Sequence, residues 1–171
     1  MCRILLMDDN LFFRQSLHDL LHIRFPRADI QEAANSRECL EKMKSFAPHI
    51  SFIDVQPYGE NGFNLVEQIR KSYPSVAVIV LTEFDMDEYR IAALLAGANN
   101  VIPKDLWTGK EIIALTETLM ATLGIHEFEN NLEKLPAKPL WGRPLDRRQR
   151  DRKGKTMERE YLKHHPDRRH G

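Results

Sequence analysis

Short apolar runs alternate with amphipathic stretches along the first 125 residues. The first run is Ile4-Leu5-Leu6-Met7. Leu17, Leu20, Leu21 and Phe25 then recur at helical spacing over residues 11–25, and Pro26 stops that helix. Residues 29–34 form a weak second strand. Leu40, Met43 and Phe46 share one face of a helix over 36–46, and Pro48 ends it. Ile50-Ser51-Phe52-Ile53 is a third strand closed by Asp54. A loop rich in Gly, Pro and Asn covers 56–62. Phe63, Val66 and Ile69 mark the next helix, which stops near Pro74.

The run 76–81 is apolar throughout and largely β-branched, as expected of a parallel strand buried on both faces. Asp85-Met86-Asp87-Glu88 has the form of a capping box and opens a helix to Ala96, with Gly97 as its stop. Asn100 to Pro103 is a short fifth strand. A last helix over 107–123 places Ile112, Leu115, Leu119 and Leu123 near one face. Five strictly alternating β-α pairs predict a parallel sheet with helices on both faces. Ligands of such sheets bind beyond the carboxyl ends of the strands.

Those ends carry the candidate chemistry. Strand one ends in Asp8-Asp9, strand three in Asp54, strand four in Thr82 and strand five in Lys104. Singly, each residue has an ordinary reading as a helix cap or as the chain reaching water. Together, three carboxylates converge on one crevice, where like charges raise each other's pKa unless a cation neutralises them. Hard oxygen donors with open positions suit Mg²⁺, which keeps waters and accepts phosphate oxygens. A carboxylate can act as nucleophile and form an aspartyl-phosphate. Lys104 and the Thr82 hydroxyl would then meet the phosphoryl oxygens.

These residues carry a family resemblance. Residues 1–125 resemble the receiver domain of bacterial two-component response regulators. The matching segments are ILLMDDN (4–10), HISFIDV (49–55), Gly62 eight residues after Asp54, VAVIVLT (76–82) and AGANNVIPKD (96–105). The separations of 45 from Asp9 to Asp54, 28 to Thr82 and 22 to Lys104 look like the family's. The stretch DDNLFFRQSL looks like the NarL/LuxR-type subfamily.

The resemblance implies a flavodoxin-like (βα)5 doubly wound sheet of strand order 2-1-3-4-5. It implies that Asp54 accepts a phosphoryl group from a histidine kinase or another phosphohistidine donor. Asp9 and Asp54 would ligate Mg²⁺ directly, Asp8 through water, and the backbone carbonyl of Gln56 would add a ligand. Thr82 and Lys104 would read the phosphorylated state and switch the face built by helix four, strand five and helix five. The expected partners are that donor, a downstream protein and, as a further option, a second copy of the chain. The protein is expected to be a phosphoacceptor with slow self-dephosphorylation, not an enzyme.

Four positions depart from the family's pattern. Pro57 and Tyr58 replace the usual Met-Pro. Glu83 stands where a small residue follows the switch Thr. Val101 stands where an aromatic residue usually moves with the switch. An alternative on the same fold is therefore a pseudo-receiver that binds a protein without being phosphorylated. A flavin carrier of the same architecture is disfavoured, because Asp8-Asp9 would repel a flavin phosphate.

Composition changes the picture chiefly beyond residue 125. The formal net charge is +0. Residues 1–130 hold 12 Lys/Arg against 19 Asp/Glu, a balance of −7, and residues 131–171 hold 13 against 6, a balance of +7. Hydrophobic periodicity fades after Gly124, and residues 126–171 read as a basic, largely disordered tail without a helix-turn-helix pattern. Contact with nucleic acid through that tail is a third reading. Cys2 and Cys39 lack metal or redox spacing, which suits reduced thiols. No apolar run approaches the ~20 residues of a membrane span, and the five apolar-rich residues before Asp8-Asp9 are too few for a signal peptide's apolar region. A cytoplasmic protein is expected.

Overall fold

A computed structural model describes residues 1–56, 62–83, 85–106 and 108–126. Five strands and five helices alternate through these residues: β1 (Arg3–Met7), α1 (Leu11–Arg24), β2 (Asp29–Ala33), α2 (Ser36–Phe46), β3 (Ile50–Asp54), α3 (Gly62–Ser72), β4 (Ala77–Thr82), α4 (Asp87–Leu95), β5 (Asn100–Pro103) and α5 (Gly109–Thr122). All strand pairs are parallel, and the sheet order is β2-β1-β3-β4-β5. This is the flavodoxin-like fold expected. The tail beyond His126 lies outside the described residues, as do Pro57 and Tyr58.

Side-chain alternation along each strand divides the core in two. Ile4 and Leu6 of β1, Ile50 and Phe52 of β3, Ile79 and Leu81 of β4 and Ile102 of β5 pack with Leu17, Leu20 and Leu21 of α1 and with Ile112, Ile113 and Met120 of α5. The intervening residues Leu5, Met7, Ile53, Val78, Val80 and Val101 face the opposite way, against Cys39 and Met43 of α2, Leu65, Val66 and Ile69 of α3 and Ala93 of α4. Both faces of the central strands are covered, so their sequences read as unbroken apolar runs. β2 is an edge strand, and only Ala33 of its five residues is buried. That explains its weak sequence signal.

Helix boundaries follow local chemistry. The Asn10 side chain caps α1 by accepting from the amides of Phe12 and Phe13 at 3.1 and 3.2 Å. Asn35 caps α2 by accepting from Glu38 N at 3.0 Å. The capping box expected at Asp85 is not formed. α4 starts after Met86, which offers no side-chain cap, and Asp87 and Glu88 instead lie in the first turn, where their charge favours the helix dipole. The reciprocal box sits at α5, where Glu111 N donates to Thr108 Oγ1 and the Thr108 backbone amide donates to Glu111.

The buried face of α5 is also rotated from expectation. Ile112, Ile113, Thr116 and Met120 are buried, Leu115 and Leu119 are half-buried and Leu123 is exposed. Thr116 can be buried because its hydroxyl donates to Ile112 O at 2.7 Å. On α2, Cys39 and Met43 are buried, while Leu40 and Phe46 are half-buried. Gly97 follows α4 with φ +104, and a Cβ there would meet Arg70 Cγ at 2.7 Å.

Candidate acidic site at the strand ends

Strand register assembles the site. β1 and β3 are neighbours with Met7 opposite Ile53, so the next residues, Asp8 and Asp54, leave the sheet side by side. β4 and β5 are paired with Thr82 opposite Pro103, and Lys104 N donates to Thr82 O at 2.7 Å. Asp8, Asp9, Asp54 and Lys104, drawn from three strand ends, thus meet at one edge. Each of the three aspartates offers a carboxylate oxygen, and these oxygens all lie within 4.8 Å of one another.

Lys104 reaches into this cluster. Its Nζ lies 2.7 Å from Asp8 Oδ2 and 2.8 Å from Asp54 Oδ1. All three side chains of that triad are under a tenth exposed, whereas Asp9 is exposed. Burial pushes the Asp54 carboxyl up to about 6; Lys104 pulls it down, and the charges of Asp8 and Asp9 push it further up. Burial works against the Lys104 charge, but Asp54 and Asp8 outweigh it, and the ammonium is held above the usual lysine range.

The loop after β1 is held from two sides. Asn10 N donates to Asp8 Oδ1 at 2.9 Å. The Arg14 guanidinium donates to the Asp8 carbonyl and pairs with Glu32 on β2 at 2.7 Å. Sequence reasoning passed over Arg14. Its signal was a cation in the opening turns of a helix, where the macrodipole favours anions, so it needs a local partner.

The cleft beside the cluster has a volume of about 250 Å³ and is lined by Asp9, Asn10, Asp54, Val55, Gln56, Glu83 and Lys104. At ~30 Å³ per water, it has room for a hydrated cation with a phosphoryl group. The Gln56 side-chain amide donates to Asp9 Oδ2 at 3.1 Å, a contact the sequence did not suggest. Glu83 is exposed at the rim. Thr82 is buried at the same end of the sheet. Val101 stands apart: it lines a small recess between α4 and β5 with Met86, Arg90 and Pro103. No helix among the described residues is long and apolar enough to cross a membrane.

Comparison with known proteins agrees with this geometry. The family model described as response regulator receiver domain matches residues 4–117. The chain is 34% identical over 106 residues to the transcriptional regulatory protein LnrK of Bacillus subtilis, covering 62% of this chain and 48% of LnrK. It is 30% identical over 118 residues to the chemotaxis protein CheY of Thermotoga maritima, covering 67% of this chain and 95% of CheY. The chain therefore spans about half of the first relative and nearly all of the second. Among solved structures, a two-component response regulator from Clostridium difficile superposes with a TM-score of 0.66 at 20% identity, covering 72% of this chain and 98% of that one. The BeF3-activated DrrB receiver domain superposes with a TM-score of 0.63 at 20% identity, covering 71% and 98%. Parallel topology, an acidic cluster at the strand ends and the match over residues 4–117 lead to one conclusion: the chain belongs to the response regulator receiver domain family.

Proposed function

We propose that residues 1–125 act as a phosphoacceptor switch in which Asp54 takes a phosphoryl group from a phosphohistidine donor. The observation that carries this reading is the Asp8, Asp9 and Asp54 oxygen cluster with Lys104 bridging two of its members. The donor set fits Mg²⁺: hard carboxylate oxygens and a cleft with room for water. Asp9 and Asp54 would hold it directly, with Asp8 through water and the Gln56 backbone carbonyl as a further ligand. Once bound, the cation supplies neutralisation of the phosphoryl oxygens.

The chain's own residues do the rest. Lys104 engages Asp54 Oδ1, which leaves the other carboxylate oxygen for phosphorus. That oxygen–phosphorus bond forms as the phosphorus–nitrogen bond of the donor breaks and the imidazole leaves with its electron pair. Lys104 then moves its hydrogen bond to a phosphoryl oxygen, and the Thr82 hydroxyl donates another. Hydrogen bonds to charged groups contribute about 1.5–3 kcal/mol each, and a switch from 1:99 to 99:1 takes ~5.5 kcal/mol. Two or three such contacts would drive most of such a switch. The output is a contact with a downstream protein.

Beryllofluoride with Mg²⁺ mimics the phosphorylated state and tests this reading. Amide resonances of Thr82, Glu83 and Lys104 are expected to shift, and Asp54→Asn to abolish the shifts. Unchanged spectra would instead favour the pseudo-receiver, for which Glu83 at the cleft rim is the motivating feature.

A further inference from the structure

Lys104 has three N–H donors and two carboxylate partners, Asp8 and Asp54. Its ammonium also sits over the ring of Phe13, 4.5 Å from the centroid. Phe13 is buried in the first turn of α1, and its amide donates to the Asn10 cap at 3.2 Å. Asn10 in turn donates its amide to Asp8 Oδ1 at 2.9 Å. The contacts close a ring: Asp8 to Asn10, Asn10 to Phe13, Phe13 to Lys104 and Lys104 back to Asp8. A cation within about 6 Å of an aromatic face is attracted by the ring's quadrupole, most strongly where water is excluded. An aliphatic side chain would fill the same space without that attraction.

We infer that Phe13 is a positioning residue for phosphoryl transfer: its ring face holds the Lys104 ammonium beside Asp54 while the new bond forms. This rests on the reading of Asp54 as phosphoacceptor. The physical reason for a ring is that its attraction has no fixed hydrogen-bond direction. Lys104 must exchange Asp54 Oδ1 for a phosphoryl oxygen, and it can slide over a π face during that exchange without leaving the site.

The test compares Phe13→Leu, Phe13→Tyr and pentafluorophenylalanine at position 13, which keeps the ring's shape and reverses its face polarity. Phosphoryl uptake from acetyl phosphate is followed at saturating Mg²⁺, Mg²⁺ affinity is titrated separately, and the Lys104 side-chain protons are observed by NMR. Phe13→Leu and the fluorinated ring are expected to slow uptake about 3- to 10-fold, with Mg²⁺ affinity within about twofold of wild type. Phe13→Tyr is expected to retain the wild-type rate. Ring-current displacement of the Lys104 protons is expected in wild type and Phe13→Tyr and lost in Phe13→Leu. Equal rates for the fluorinated ring and wild type, or an equal loss in Phe13→Tyr, would overturn the inference. Should Phe13→Leu fail to fold, the tyrosine and fluorinated rings decide it. If wild type takes up no phosphoryl group, the phosphoacceptor reading falls by itself, and the NMR arm decides the ring's hold on Lys104: displaced protons support it and undisplaced protons overturn it.

Discussion

At pH 5, the folded protein keeps most of the Asp54 proton that the unfolded chain has already released, because the folded pKa lies at about 6 and the unfolded value near 3.9. The folded state therefore binds more protons between about pH 4 and 6, and stability falls as pH rises through that window. A shift of this size corresponds to about 2–3 kcal/mol, fully felt above pH 6. Asp54→Asn removes the buried charge. Thermal melts without metal should show the variant more stable than wild type at pH 7.5, by on the order of 1–2 kcal/mol once the lost Lys104 contact is offset. The difference should close toward pH 4; a constant difference across pH would show that burial of this carboxylate is not its source. The same proton competes with a cation, so Mg²⁺ affinity should rise with pH through about 6. Lys104→Met leaves two buried carboxylates without their ammonium and should destabilise the fold by roughly 3–5 kcal/mol at neutral pH, a loss readable by urea denaturation and smaller in acid.

The helices show where local sequence decides structure and where packing does. Thr108→Ala removes the side-chain half of the α5 capping box, the Oγ1 that accepts from Glu111 N, while the backbone amide of residue 108 still donates to Glu111, and should cost ~0.5–2 kcal/mol. Gly97→Ala should cost at least as much, because φ +104 is strained for an L side chain and the added Cβ meets Arg70 at 2.7 Å. Denaturant midpoints for the two variants check both values. Legibility differed between these elements for physical reasons. Apolar runs such as 76–81 announce strands buried on both faces. Charged residues near a helix start are ambiguous. Asp85 and Glu88 have the capping-box spacing, yet α4 begins one residue too late for Asp85 to cap it. Thr108 and Glu111 have the same spacing and do cap. Face assignment on α5 missed Thr116 because its burial depends on a hydroxyl bond back to its own helix.

For the whole molecule, topology turns a linear sequence into a site. Asp8, Asp54 and Lys104 are far apart in the chain, and strand order β1-β3-β4-β5 with parallel register brings them within ion-pairing distance. Strand-end position alone made these residues legible. Their supporting contacts were not, since Arg14 to the Asp8 carbonyl, Gln56 to Asp9 and Phe13 under Lys104 depend on side-chain directions that no spacing encodes. Because the site draws on several strand ends, a bound cation should stabilise the entire fold, by about 2.7 kcal/mol at a hundredfold excess over Kd. A melting temperature unmoved by Mg²⁺ would count against the metal site. The most direct measurement of the central claim is intact mass after incubation with acetyl phosphate and Mg²⁺. Wild type should gain one phosphoryl group and Asp54→Asn none; no gain on wild type, or an equal gain on the variant, would contradict the assignment of Asp54.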